Sequence, residues 1–151
     1  MKLAKRTTDR LPWNASRVGA AILMIAGLMP LLIGASLVPS PRGVGTHHQL
    51  GLAPCGILSE TGYPCPSCGM TTSFTLAANG DLAGAFIVQP AGTVLAFADA
   101  MLVLLAGYVV VTGSTIGAFV RKLIQRNWRL VAMGLVGLVL AGWAFKMFTL
   151  N

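Results

Sequence analysis

Three cysteines and two adjacent histidines are the residues of this chain whose types and spacing suit chemistry. Cys65 and Cys68 are separated by two residues, with Gly69 directly after them, and Cys55 precedes them in the same segment. Thiols at this spacing bind metal ions, exchange disulfides or form a structural disulfide. The residues alone leave all three interpretations open.

The first interpretation is a metal site. A Cys-Pro-x-Cys-Gly turn resembles half of a zinc ribbon, in which a tight knuckle points both thiolates at one ion. Gly69 supplies the relaxed backbone that such a knuckle needs. A tetrahedral zinc ion takes four ligands. The predicted metal ligands are Cys55, Cys65, Cys68 and His47, with His48 as the alternative to His47. A full ribbon has a second Cys-x-x-Cys, which this chain lacks.

The second interpretation is thiol–disulfide exchange. We expect a short helix over residues 66–78 with Cys65 at its N-cap and Pro66 at its first position. The positive end of the helix dipole would lower the pKa of Cys65 and make it the attacking thiolate, with Cys68 as the resolving cysteine. No thioredoxin-like βαβ pattern surrounds the motif, and a glycine at residue 69 excludes haem attachment of the Cys-x-x-Cys-His type.

The third interpretation is structural. In an oxidising compartment two of the three cysteines would form a disulfide that pins the loop onto the helices after it. The protein would then have no chemistry of its own.

Membrane helices are the elements that must position the cysteines. Of the 151 residues, 55% are hydrophobic and 10% are charged, whereas a soluble domain has about 25% charged residues. Apolar runs cover residues 18–38, 91–112 and 130–150. At about 1.5 Å per residue, each run can cross a hydrocarbon core of about 30 Å. The sequence therefore predicts one all-α membrane domain over residues 1–151, with three transmembrane helices.

The first apolar run has a competing interpretation as a signal peptide. It exceeds the roughly 7–15 apolar residues of a signal sequence, so we expect it to be retained as a span. The cysteines lie in segment 39–90, which we expect to form an extracytoplasmic loop and a short helical hairpin at the interface or against the bundle. Asp81 is placed to cap the second helix of this hairpin. The hydroxyls that follow the cysteine turn, from Thr71 to Thr75, are expected to bond back to the preceding helical turn.

The basic residues predict the orientation of the chain. Segment 113–129 carries four of them, segment 39–90 carries only Arg42, and the N-terminal segment carries Lys2, Lys5, Arg6, Arg10 and Arg17. The positive-inside rule places the N-terminus in the cytoplasm and the cysteine loop on the outer side of the cell membrane. Trp13 and Trp128 then lie at the cytoplasmic interface. The net charge of +7 comes from blocks beside apolar runs, which is not the pattern of a nucleic-acid surface.

Asp99 and Lys146 are charged residues within the second and third apolar runs. A charge at the centre of a span costs about 2.5–3.5 kcal/mol on insertion scales. We expect the two side chains to pair and to hold these spans together. The alternative is a proton or ion relay through Asp99.

The cysteine turn and its surroundings resemble the bacterial membrane-protein family called domain of unknown function 2752. The resemblance rests on Cys65-Pro66-x-Cys68-Gly69-x-Thr71, a short helix, Gly80-Asp81, and Pro90 opening a span. It covers about residues 45–112. Many members have arginine where this chain has Thr72, and asparagine where it has Gln89. The resemblance implies membrane placement and an important cysteine turn, and it implies no reaction.

Together these patterns favour a non-enzymatic structural or accessory subunit whose cysteine loop is disulfide-linked or binds metal. Its expected partners are the lipid bilayer and either another membrane protein or a second copy of the chain. The alternative is an exchange protein in which Cys65 and Cys68 are catalytic and act on an extracytoplasmic partner.

Overall fold

The computed structural model describes residues 16–150, and all regular structure in this range is helical. A 3-10 turn at Thr46–Leu50 accompanies seven α-helices: α1 (Ser16–Ser36), α2 (Gly56–Thr61), α3 (Met70–Ala78), α4 (Leu82–Val88), α5 (Pro90–Thr112), α6 (Ile116–Arg126) and α7 (Trp128–Leu150). Helices α1, α5 and α7 are long and apolar enough to cross a membrane. The predicted fold class is confirmed. The expectations for Trp13 and for the basic residues before residue 16 fall outside the described residues.

Local sequence signals set most of the helix ends. Pro90 opens α5 at a position where its missing N–H costs no hydrogen bond. Gly113 closes α5 at a φ of 68°, and its N–H donates to Val109 O. The carboxylate of Asp81 accepts a hydrogen bond of 2.8 Å from Gly84 N at the start of α4. The expectation that Asp81 caps this helix is confirmed.

Close contacts at glycines allow α1, α3 and α5 to pack tightly. A Cβ on Gly34 of α1 would lie 3.3 Å from Ala78 Cβ of α3, and one on Gly92 of α5 would lie 3.0 Å from Ser73 Oγ. The short helix α3 thus lies against both spans and against α4. Helix α7 approaches α5 at Gly142, where an added Cβ would meet Ala91. Small residues let membrane helices approach in this way.

The predicted pair between Asp99 and Lys146 is wrong. Asp99 faces α1, where its Oδ1 lies 2.8 Å from an ideal Cβ on Gly27, and its Oδ2 is buried with no hydrogen-bond partner among the described residues. The amino group of Lys146 donates to the carbonyl of Val88, just before α5. Asp99 lies nine residues beyond Pro90, about 14 Å along the helix. The two side chains therefore lie at different depths.

Lys146 instead holds together three segments of the chain. Its side chain is 4% exposed, and its Nζ donates to Val88 O at 3.0 Å and to Gly43 O at 3.4 Å. A Cβ on Gly69, in the cysteine turn, would lie 3.2 Å from the same nitrogen. One residue of α7 thus contacts the loop after α1, the α4–α5 junction and the cysteine turn.

Replacing Lys146 by methionine keeps the apolar part of the side chain and removes the donor. We expect Lys146→Met to lower the free energy of unfolding in non-ionic detergent by about 2–3 kcal/mol, because two carbonyls lose a hydrogen bond from a cationic group. Lys122→Met, at an exposed position of α6, is the matched control and should change it by no more than about 0.5 kcal/mol. Equal losses in the two variants would contradict this role of Lys146.

Candidate functional site

A tight turn places Cys65 and Cys68 side by side. The N–H of Cys68 donates to Cys65 O at 3.0 Å and closes the turn. The N–H of Cys65 donates in turn to Cys68 Sγ at 3.3 Å, and the two sulfur atoms lie 3.1 Å apart. Gly69 ends the turn in the left-handed region with a φ of 86°, a conformation that glycine adopts without steric cost.

Cys55 completes a cluster of three sulfur atoms. It lies at the N-terminal end of α2, and the connection through Gly62 at a φ of 73° brings the chain back to the cysteine turn. The three Sγ atoms lie within 4.8 Å of one another. Cys68 is buried, whereas Cys55 and Cys65 are partly exposed. Three thiols at these distances can hold one metal ion.

No histidine joins this cluster, so the structure does not bring the predicted fourth ligand His47 to the sulfur atoms. His47 Nε2 lies 3.2 Å from Ala53 O, and its ring packs edge-on against that of His48 at a centroid distance of 4.6 Å. The contact with the Ala53 carbonyl turns this ring nitrogen to the backbone of its own loop. His47 and His48 instead line the cavity beside the cysteines.

Cys65 does not cap a helix, so the expectation of a helix over residues 66–78 is wrong at its start. Helix α3 begins at Met70 with Gly69 as its N-cap, because the positive φ of Gly69 interrupts the helical path. The pKa of Cys65 is nevertheless about 7. Burial by itself raises this pKa. Hydrogen bonds with Ser67, Cys68 and Cys55 together lower it by a larger amount, so the net effect is a lowered pKa. The ionised form of Cys65 is therefore stabilised by its neighbours in the loop and not by a helix dipole.

The pKa of Cys68 is shifted in the opposite direction from that of Cys65. Burial and the hydrogen bond with Cys65 raise the pKa of the Cys68 thiol to about 12. The pair thus consists of one thiol that ionises near neutral pH and one that keeps its proton. This difference suits a cysteine pair of which one member is the nucleophile.

The cysteine cluster forms part of the wall of a cavity of about 770 Å³. Pro30 and Ile33 of α1, together with Leu37 just after this helix, form its apolar side, and Arg42 contributes a charged group from the loop.

Two side chains of helix α7 contact the cysteine turn and fix its position. The indole Nε1 of Trp143 donates to Pro64 O, immediately before Cys65, at 2.8 Å, and Lys146 lies against Gly69 on the other side of the turn. Sequence reasoning missed Trp143. An amphipathic indole near the end of a span is a signal that could have found it.

Two of the hydroxyl groups after the turn bond across to other segments, and Thr75 Oγ1 is buried with no hydrogen-bond partner among the described residues. The expectation that these groups bond back within the helix is therefore wrong for Thr72, Ser73 and Thr75. Thr72 Oγ1 lies 2.8 Å from Thr46 Oγ1 of the 3-10 turn. Ser73 donates to Gln89 O at 3.1 Å and lies 3.0 Å from Thr93 Oγ1. Thr72 and Ser73 are buried against these segments, which places their hydroxyl groups beside partners that are distant in the chain.

Comparison with known proteins gives a family for the segment that holds the site. Residues 55–110 match a family described as "Protein of unknown function (DUF2752)". The resemblance inferred from the cysteine motif is thus confirmed, over a segment that runs from Cys55 into α5. No curated protein and no solved structure matches the chain.

Gly69 and Gly80 offer a matched test of the close approach at the cysteine turn. Both have a positive φ, 86° and 87°, but a Cβ on Gly69 would lie 2.9 Å from Gly43 O, whereas one on Gly80 would meet nothing within 4 Å. Both alanine variants incur the left-handed cost of about 1–2 kcal/mol. We expect Gly69→Ala to lower the free energy of unfolding by at least about 1 kcal/mol more than Gly80→Ala. Equal losses would contradict the close approach.

The two thiols predict a pH dependence of alkylation in the metal-free, reduced protein. Only the thiolate reacts, so labelling of Cys65 should rise with pH through about 7, while Cys68 stays unreactive at neutral pH. Ser67→Ala removes a hydrogen bond that lowers the pKa of Cys65 and should move this midpoint to higher pH. The measurement is the rate of iodoacetamide labelling against pH, with each cysteine followed by peptide mass spectrometry. Labelling of Cys68 before Cys65 would contradict the assignment.

Proposed function

We propose that this chain is a non-enzymatic membrane subunit whose Cys55, Cys65 and Cys68 bind one zinc ion. The observation that carries the proposal is the position of three Sγ atoms within 4.8 Å of one another. A Zn–S bond of about 2.3 Å in tetrahedral geometry separates the sulfur atoms by about 3.8 Å. No fourth ligand from the described residues joins the three sulfur atoms, so water or a group from a partner would complete the coordination.

Charge supports this proposal. A zinc ion with three thiolates has a net negative charge, which is costly to bury without a compensating group. The amino group of Lys146 lies against Gly69, the residue after Cys68. A metal ion at this place would link the start of α2 to the cysteine turn and so contribute to the stability of the loop.

The pattern of basic residues supports an orientation with the cysteine loop outside and the N-terminus in the cytoplasm of a bacterial inner membrane. The lipid bilayer is then the first partner of the chain. Helix α7 exposes large apolar side chains along its length, among them Met133 and Val136. This exposure supports contact with lipid, a second copy or another membrane protein.

A second candidate function is thiol–disulfide exchange with an extracytoplasmic partner. It is favoured by the 3.1 Å separation of the two sulfur atoms and by the pKa of Cys65 of about 7. The Cys65 thiolate would attack a disulfide of the partner, form a mixed disulfide and release one partner thiolate. Cys68 would then displace the second partner thiolate, which leaves a Cys65–Cys68 disulfide and a reduced partner.

Metal analysis separates the two functions. We expect the protein purified in detergent without chelator to retain about one zinc ion per chain, and Cys68→Ser to lose most of it. Ser59→Ala, an exposed hydroxyl of α2 outside the cluster, is the control and should keep the metal. The measurement is elemental mass spectrometry with quantified protein.

A different metal at the same stoichiometry, lost in Cys68→Ser, would overturn zinc and retain the cluster as the binding site. Absence of metal, together with a Cys65–Cys68 disulfide that forms and breaks in thiol–disulfide buffers, would overturn the metal proposal in favour of exchange.

A further inference from the structure

Helix α6 has two distinct faces where the sequence indicated only a polar segment over residues 113–129. At 100° per residue, Ile116, Phe119, Leu123 and Ile124 lie on one side of the helix. Of its basic residues, Arg121 and Lys122 lie on the other side, and Arg126 lies at the edge of the apolar face, next to Phe119 in helical projection. Sequence inspection missed this helix because its apolar run is too short and too interrupted to count as a span.

The apolar face of α6 is not covered by the rest of the described chain. The exposed fractions are 42% for Ile116, 67% for Phe119, 50% for Leu123 and 48% for Ile124. The helix contacts α1, α5 and α7, and near its start a Cβ on Gly117 would lie 3.5 Å from Val109 of α5. A helix with one apolar face needs a surface against which to bury that face.

The position of α6 restricts what this surface can be. The helix is joined through Gly113 to the end of α5 and through Asn127 to the start of α7. Both of its ends are thus held where two spans leave the membrane. Trp128 is 61% exposed at this level, with the Arg129 guanidinium 5.8 Å from its ring centroid. Indole and basic side chains favour the headgroup region of a bilayer.

Charge restricts the occupant further. No acidic residue occurs between residues 113 and 129, and Arg129 adds a fourth positive charge to the three on α6. A surface complementary to this segment has an apolar region that covers the apolar face of α6. It also has negative charges beside the basic side chains. The surface of a membrane that contains anionic phospholipids has both properties.

We propose that α6 lies in the plane of the membrane surface, buries its apolar face at the acyl boundary and binds anionic phospholipid headgroups through Arg121, Lys122 and Arg126. This interaction anchors the connection between α5 and α7. It is independent of the cysteine cluster, which lies at the opposite ends of these spans, beside the start of α5 and the end of α7.

The test uses the full chain in nanodiscs of phosphatidylcholine alone or mixed with phosphatidylglycerol, with amide hydrogen exchange of residues 116–126 as the readout. We expect slower exchange in the mixed lipid, and we expect salt above physiological strength to remove the difference by screening. In native mass spectrometry, Lys122→Gln should weaken retention of phosphatidylglycerol about fivefold. Arg42→Gln, an exposed basic residue of the cysteine loop, is the matched control and should leave retention unchanged.

Loss of the apolar face gives a second, separate readout. Phe119→Ser combined with Leu123→Ser should speed exchange of this helix in both lipid compositions, because burial of apolar area does not depend on lipid charge. Equal exchange in the two lipid compositions would overturn the proposal, as would equal effects of Lys122→Gln and Arg42→Gln. Protection in native membranes but not in nanodiscs of the purified chain would also overturn it, and would identify a protein as the occupant.

Discussion

The amino group of Lys146 is the contact on which the arrangement of the cysteine segment depends. It reaches from α7 to the carbonyl of Gly43, 103 residues away in the chain, and to that of Val88. A buried amino group is stable only where acceptors surround it, so these carbonyls and the lysine hold one another in place. The same contact explains the glycines at positions 43 and 69, since a Cβ at either would lie within 3.3 Å of Nζ.

Besides Lys146, a network of side-chain hydrogen bonds positions the segment between α1 and α5. Gln49 bonds both the N–H and the carbonyl of Val38, Thr46 bonds Thr72, and Ser73 bonds the carbonyl of Gln89. The contacts of Gln49 and Ser73 reach residues beside the end of α1 and the start of α5, and the contact between Thr46 and Thr72 joins the 3-10 turn to α3. The apolar spans supply the scaffold, and buried hydroxyl and amide groups give the segment between them a defined position. The sulfur atoms are therefore held in place by membrane helices, without a soluble domain around them.

The proposed metal binding and the alternative thiol exchange would both use the sulfur atoms of Cys65 and Cys68, so the environment of these atoms is relevant to both. The apolar wall from α1 lowers the local dielectric, which strengthens the attraction between a thiolate and a cation. Burial also keeps the proton on Cys68, so a metal ion that binds there must displace it. Cys55 and Cys65 are the two partly exposed cysteines of the cluster, whereas Cys68 is buried.

The sequence by itself determined the features that depend on local pattern: three apolar spans, the Asp81 cap, the opening of α5 at Pro90, the cysteine turn and the family resemblance. These follow from composition, residue spacing and backbone preferences within a few residues. Only the tertiary structure decided that Lys146 bonds carbonyls and not Asp99, that His47 lies outside the sulfur cluster while Cys55 lies within it, and that Trp143 holds the turn. The physical reason is that hydrophobicity fixes which residues enter the membrane but not which way a span is rotated. The partner of a buried polar side chain depends on this rotation and on segments distant in the chain.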